Sequence, residues 1–227
     1  MKYSPTKWSI ALDNSGKLKE KMAYVSRSVR TQQFQFLSKL MKPNRKTEVL
    51  DVGLTPSEKL VDSNFFEFIF PYPKNITAIS VEDCREVAKK YHLRKFIQVK
   101  ADKPYPFRKK QFEWVVSWAT LEHVGGEEQQ RTFLAELDRI GKKVFVTTPY
   151  KYFPYELHSE LFFAHWLPDS WFQRILKVMG KDFWADEQNL RLLGKSDVRS
   201  ILPSSDYRVK LFYSFGFLPT HLLIYNV

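Results

Sequence analysis

Apolar residues first settle into a helical rhythm: Met22, Val25, Val29, Phe36, Leu37 and Leu40 recur near a 3.6-residue spacing until Pro43 and Asn44 stop the run. A helix is therefore expected over Lys17 to Met41. After it come short blocks rich in β-branched and aromatic residues, TEVLDVG, ITAISVE, KFIQVKA, FEWVVSW and KKVFVTT, which read as five strands. Helical stretches lie between them: a turn of helix over Asn64 to Phe70 closed by PYPKN, then Asp83 to Tyr91, then Glu127 to Ile140. Strands that alternate with helices pair in parallel through right-handed crossovers, because a tight turn cannot join parallel neighbours. The pattern predicts a doubly wound α/β sheet. It changes after Pro168: Leu167 to Met179 reads as an amphipathic helix, Ser196 stands where it could cap another running toward Leu202, and RVKLFYSFGF with THLLIYNV can close the chain as an antiparallel hairpin. Nothing divides the chain, so one domain is expected over 1–227, with an N-terminal helical segment (1–46), a core (47–168) and C-terminal helices and hairpin (169–227).

The 227 residues and 44% hydrophobic content suit one domain with a real core. FFEFIF, among the longest apolar runs, falls far short of the roughly 20 residues that span a bilayer. The start, MKYSPTKWSI, lacks a signal peptide's apolar stretch, so the expected location is cytoplasmic with no transmembrane segment. Cys84 is the lone cysteine and can form no internal disulfide. A net charge of +11 attracts phosphate-rich partners: nucleic acid, an anionic membrane surface or phosphorylated carriers. Much of it lies between Lys89 and Lys110, which reads first as a solvated rim. No zinc-finger, helix-turn-helix or glycine-aromatic RNA motif accompanies it, so nucleic acid is not the favoured partner and peripheral membrane contact stays open.

The stretch VLDVGLTPSEKL begins like a nucleotide-binding turn, with Asp51 and Gly53, and then offers Leu54, Thr55 and Pro56 where further glycines would stand. ITAISVED, VKADKPYPFRKKQFEWVVSWATLEHVG and VFVTTPYKYFPYELH follow in order. Together, over roughly Thr47 to Pro168, these resemble the class I S-adenosylmethionine-dependent methyltransferases of the type 11 branch. Asp102, Pro106, Phe107, Phe112, Glu113, Glu122, His123 and Val124 fall in sequence on that family's aD…LPF…FD…EHV pattern. The resemblance implies a Rossmann-like, mainly parallel seven-stranded sheet with an antiparallel C-terminal hairpin, and S-adenosylmethionine as cofactor. Ligands of open parallel sheets bind beyond the carboxyl ends of the strands where the strand order reverses. On this reading Asp51 takes the cofactor's cationic amino group, and Gly53 lets the backbone approach closely. Glu82 accepts from the ribose hydroxyls; Ser80 occupies the ungapped position, and Asp83 reads better as an acid at a helix N-terminus. Asp102 accepts from the adenine amino group or is a turn residue, and Trp118 lies over the cofactor or packs in the core. The loop from Leu54 to Asn64 is expected to be longer and differently shaped, because a donor without a pyrophosphate asks less of the missing glycines.

The acceptor should meet the methyl group near ATLEHVGG and TTPYKYFPYELHSELFFAHWLP. A hydroxyl acceptor must also give up a proton, a task suited to histidine. His158 and His123 are the candidates, with Glu156 or Glu122 to orient a ring. His123 reads more readily as a structural hydrogen bond between the fourth strand and the following helix. Tyr150, Glu156 and His165 are expected to line the acceptor. The aromatic residues Tyr150, Tyr152, Phe153, Tyr155, Phe162, Phe163 and Trp166 suit stacking on a sugar, quinone or base, or the small core of a lid. Glu156, His158 and His165 lack helical metal-ligand spacing, and no metal is expected. The favoured function is methyl transfer to a small or carrier-linked acceptor, with O-methylation of a glycan or glycolipid foremost. A noncatalytic binding protein that kept the fold and an RNA methyltransferase are the alternatives.

Overall fold

The computed structural model describes residues 17–58, 62–214 and 216–227; residues 1–16 of the expected N-terminal segment lie outside the described residues. Helix α1 (Lys17–Met41) is followed by strand β1 (Val49–Val52), helix α2 (Phe65–Ile69), β2 (Ile76–Ser80), α3 (Arg85–Lys90), β3 (Lys95–Gln98) and β4 (Phe112–Trp118). Then come α4 (Glu127–Ile140), β5 (Gly141–Pro149), the short β6 (Tyr155–Glu156) and β7 (Leu161–Phe162), α5 (Asp169–Val178), α6 (Lys195–Ser200), β8 (Arg208–Ser214) and β9 (Leu218–Tyr225). Seven strands form one sheet in the order β3-β2-β1-β4-β5-β9-β8. The first five are parallel, and β9 inserts antiparallel between β5 and β8.

The central strands are apolar on both faces because both are covered. On one face, Leu134, Leu137 and Ile140 of α4 pack with Leu50, Val115, Val144 and Val146. On the other, Leu37 of α1 and Phe66 of α2 pack with Val49, Trp114, Val116 and Phe145. A smaller cluster of Phe172, Leu176, Trp184 and Leu190 holds α5 to the segment after it. The strand order reverses between β1 and β4, and that is where a cavity of about 940 Å³ opens.

Two local expectations need correcting, and one pairing went unpredicted. The third strand, expected over KFIQVKA, stops at Gln98, so Asp102 does not stand directly at the strand's end but in the turn that follows. Helix α6 starts one residue before Ser196: the Gly194 N–H donates to the Asp197 carboxylate (2.7 Å), and this closes the first turn without a serine cap. The pairing of β6 with β7 inside the long segment after β5 escaped notice, since two-residue strands show no periodicity.

Candidate active site

A cavity of about 940 Å³ lies at the carboxyl ends of β1, β2 and β4, and Asp51, Gly53, Glu82, Asp102, Trp118, His123 and His158 all line it. Tyr150, Glu156 and His165 instead line an adjoining chamber of about 220 Å³. The ten residues expected from the sequence thus divide between two connected spaces.

Gly53 turns the chain out of β1 at φ +116°, a conformation that costs any residue with a Cβ, while its N–H donates to the Ile79 carbonyl at 3.0 Å. A Cβ placed there would sit 2.1 Å from Thr120 Oγ1. Gly53→Ala is expected to destabilise the fold by roughly 2–4 kcal/mol, from backbone strain plus overpacking, read as a lower denaturant midpoint. The glycines absent further on are replaced by a different device. Asn64 adopts the left-handed conformation (φ 48°), which asparagine tolerates better than most residues. Its side chain clips the loop by accepting from Thr55 N–H (3.0 Å) and donating to Thr55 O (2.9 Å).

Asp51 is buried at the end of β1 and shares a hydrogen bond with Glu67 from the first turn of α2. Burial, then the neighbouring Glu67 charge, pushes the Asp51 carboxyl well above its ordinary range. Burial also raises Glu67, whose Oε1 has no hydrogen-bond partner. Two adjoining buried carboxyls hold protons because both cannot ionise cheaply, and a ligand cation would relieve that cost. Glu67 escaped the sequence reading, since within FFEFIF it looks like the polar interruption of an apolar run. Arg30 was missed too: the helical spacing of α1 fixes its apolar face without showing which cation reaches the cavity. Arg30 Nε lies 3.3 Å from Ser26 Oγ and 3.4 Å from Asp62 Oδ2, and the side chain lines the cavity wall.

At the end of β2 the two neighbouring acids separate. Glu82 lines the cavity, its N–H bonded to Ser80 Oγ at 3.2 Å. Asp83 faces solvent, accepting from Arg85 Nε (2.9 Å) and Arg85 N–H (3.1 Å) at the start of α3; the Arg85 side chain holds its carboxyl down at about 2. Asp102 sits exposed on the cavity rim. Trp118 packs in the core, its ring stacked on Phe66 (6.1 Å) and tilted against Phe145 (5.7 Å), and it also lines the cavity.

His158 Nδ1 lies 2.6 Å from Glu156 Oε1, and the same carboxylate accepts the His158 and Ser159 backbone N–H groups. Burial alone would raise the Glu156 carboxyl, but the His158 ring and these donors outweigh it and hold the group at about 2. Glu156 is therefore the acid that orients His158. Glu122 instead accepts from Thr148 Oγ1 (2.9 Å), and burial raises its carboxyl. His123 Nδ1 meets the Asn189 carbonyl at 3.0 Å, so its bond ties the β4 end to the segment after α5 and not to the helix that follows β4. Its ring abuts His158 edge-on at 4.7 Å, and Trp184 lies 4.7 Å from His158 on another side.

Residues 66–144 match a family model described as a methyltransferase domain. Over that stretch the chain is similar to methyltransferase domains. The PH0226 protein from Pyrococcus horikoshii OT3 superposes with a TM-score of 0.55 at 18% identity, covering 88% of this chain and 91% of its own. Magnesium protoporphyrin IX methyltransferase from Synechocystis PCC 6803, with bound SAH, gives 0.54 at 11% identity over 92% of this chain and 86% of that one. A possible histamine N-methyltransferase from Thermotoga maritima gives 0.52 at 14% identity, covering 92% and 90%. At such identities these likenesses establish the fold. No curated protein matches the sequence.

Beside the larger cavity, the smaller chamber shares Ser26, Pro149, Leu157 and His221 with it. His221 had gone unnoticed in THLLIYNV, where it reads as one polar position of a strand. On β9 it pairs in register with Pro149 of β5 and Phe212 of β8, is buried, and has an Nδ1 without a partner. Burial, helped by the Arg30 charge, pulls its pKa down to about 3, so the ring is neutral at physiological pH. His165 Nε2 donates to the Phe153 carbonyl (2.7 Å) and locks the loop. The aromatic cluster divides: Tyr150, Phe153 and Tyr155 line the chamber, whereas Phe162, Phe163 and Trp166 face outward, 60%, 52% and 45% exposed. The basic stretch from Lys89 lies mostly exposed, with Lys90, Arg94 and Lys110 tied to Glu58, Glu48 and Asp138, as a solvated rim would be. Among the described residues no helix is long and apolar enough to cross a membrane.

Proposed function

We propose that this domain transfers a methyl group from S-adenosylmethionine to a hydroxyl of a small or carrier-linked acceptor, with His158 as the base. The observation that carries the reading is the buried His158–Glu156 pair, 2.6 Å apart, whose imidazole lines the cavity. The residues present fit the cofactor. The raised carboxyls of Asp51 and Glu67, one with an unpartnered oxygen, suit the ammonium of its methionine part. Arg30, on the same wall, suits the carboxylate. Glu82 is the acceptor for the ribose hydroxyls and Asp102 for the adenine amino group, with Gly53 giving the close backbone approach. When bound, S-adenosylmethionine supplies a methyl group on a sulfonium, open to in-line displacement.

Glu156 faces Nδ1, which makes that nitrogen the proton carrier and leaves the lone pair on Nε2. Nε2 takes the acceptor's hydroxyl proton as the oxygen–methyl bond forms, and the Glu156 carboxylate stabilises the resulting imidazolium. Holding oxygen and methyl in line supplies much of the remaining rate. A glycan or glycolipid hydroxyl satisfies this chemistry, and so does a phenol. Titration calorimetry with S-adenosylhomocysteine, followed by transfer of labelled methyl to a panel of hydroxyl acceptors, tests the reading. Saturable binding and an alkali-stable labelled ether are expected. No binding at about millimolar concentration, a Kd weaker than roughly 4 kcal/mol of affinity, overturns it, and binding without label transfer across the panel favours a noncatalytic role.

A further inference from the structure

The side chamber shows which acceptor the cavity accommodates, an inference that rests on the methyl-transfer reading. Its volume of about 220 Å³ is roughly seven times the ~30 Å³ share of a liquid water molecule, room for one six-membered ring. Its walls are Val25 and Val29 of α1, Leu157, Leu192 and Leu218, and the rings of Phe153 and Tyr155. Most polar groups in that wall are already committed to the protein. Ser26 donates to Asp62, Glu156 accepts from His158 and Ser159, His165 Nε2 bonds the Phe153 carbonyl, and Thr220 pairs with Ser214. Three polar atoms of the lining have no partner: Tyr155 Oη, the other ring nitrogen of His165 (Nδ1), and Nδ1 of His221 at the junction with the cofactor cavity. A sugar ring would give up hydration at several hydroxyls and find too few partners in exchange, a loss that weighs heavily in a buried site. An apolar ring with a single hydroxyl would not.

We propose that the chamber binds the acceptor as an apolar, ring-sized body carrying one hydroxyl, a phenol or a cyclic aliphatic alcohol, seated against Val29, Leu192 and Leu218 with His221 at the throat beside its oxygen. The throat opens into the cavity lined by His158, so a hydroxyl there is directed toward the base and the methyl donor. This narrows the acceptor away from the polyhydroxylated glycan favoured from sequence. A glycolipid would fit only through its lipid end.

The test is binding of 4-propylphenol, cyclohexanol, methyl α-glucopyranoside and benzoate to the whole protein, with and without S-adenosylhomocysteine, by titration and by NOEs to the methyl groups of Val29, Leu192 and Leu218. Either or both of the first two should bind at least about tenfold more tightly than the glucoside and the benzoate, the discrimination that even a methylene-sized mismatch produces in an apolar pocket. Whichever of the two binds more tightly identifies the ring type. Leu192→Trp, which fills the chamber, should weaken that binding at least about tenfold while cofactor-product affinity is kept; Val29→Phe serves if the first variant does not fold. Tighter binding of the glucoside overturns the proposal, and tighter binding of benzoate makes Arg30 the anchor and overturns it too. So does unchanged binding in a folded, chamber-filled variant. Because the probes are read without the cofactor product as well, failure to bind S-adenosylhomocysteine tells against the methyl-transfer reading and leaves the chamber result standing.

Discussion

His158→Ala is expected to lower turnover on a hydroxyl acceptor by ~10²–10⁴-fold, the usual worth of a positioned base, while S-adenosylhomocysteine affinity stays within about twofold. The separation follows from where the contacts come from. The cofactor candidates Asp51, Gly53, Glu67 and Glu82 sit at the ends of β1 and β2 and on α2, whereas His158 belongs to the loop between β6 and β7. The loop should survive the change. Glu156 keeps the backbone N–H groups of residues 158 and 159 as donors, so its carboxylate is not stranded when the ring is removed. Glu156→Gln separates the base reading from simple space filling. The amide cannot hold the same tautomer or stabilise an imidazolium, so the rate should fall with the ring still in place. A folded His158→Ala enzyme that turns over near the wild-type rate would hand the proton to His123 or leave proximity as the whole account.

The legible parts of the chain are those in which one local rule acts alone. Strand β4 and helix α4 have the bounds expected from their patterns, because FEWVVSW is apolar enough to be buried on both faces and the apolar residues of α4 recur at helical spacing to Ile140. His158 could be named from sequence, with Glu156 as one of two acids to orient a ring, because both stand in the same aromatic loop. The invisible parts depend on elements distant in the chain. Glu67 matters only because α2 packs its first turn against the end of β1, Arg30 only because α1 crosses that same cavity, and His221 only because β9 inserts beside β5. The missing glycines after Gly53 posed the opposite problem. Their absence was plain, but the substitute, a left-handed Asn64 bonded twice to Thr55, lies nine residues away. A polar residue at the edge of an apolar run was the one available signal for Glu67, and helix interiors and strand ends offer many such residues.

Glu67→Gln is expected to weaken S-adenosylhomocysteine binding by about 10- to 100-fold, the roughly 1–3 kcal/mol of a lost charged hydrogen bond, while raising the melting temperature of the ligand-free protein. The opposed signs come from one cause. Asp51 and Glu67 are buried side by side, and both carboxyls are raised above their ordinary values. Between the ordinary carboxylate pKa and those raised values, the folded protein holds protons that the unfolded chain has released, so stability is fully present below that window and is lost as pH rises through it. Replacing Glu67 with a neutral amide removes one of the two charges and relieves Asp51 of its neighbour, leaving burial as the remaining cause of its shift. The variant's stability should therefore fall less with rising pH than the wild type's. Ligand binding runs the other way. An ammonium is held best by ionised carboxylates, so binding must expel the shared proton, and wild-type affinity should climb as pH rises from the ordinary carboxylate range through those raised values. Calorimetry in two buffers of different ionisation enthalpy would read that proton release directly, and Glu67→Gln should show less of it. A wild-type affinity that is flat across this range, together with a variant that binds as tightly as the wild type, would move the ammonium site away from this pair. Asp51 would then be a buried acid of the β1 turn, with no hold on the cofactor.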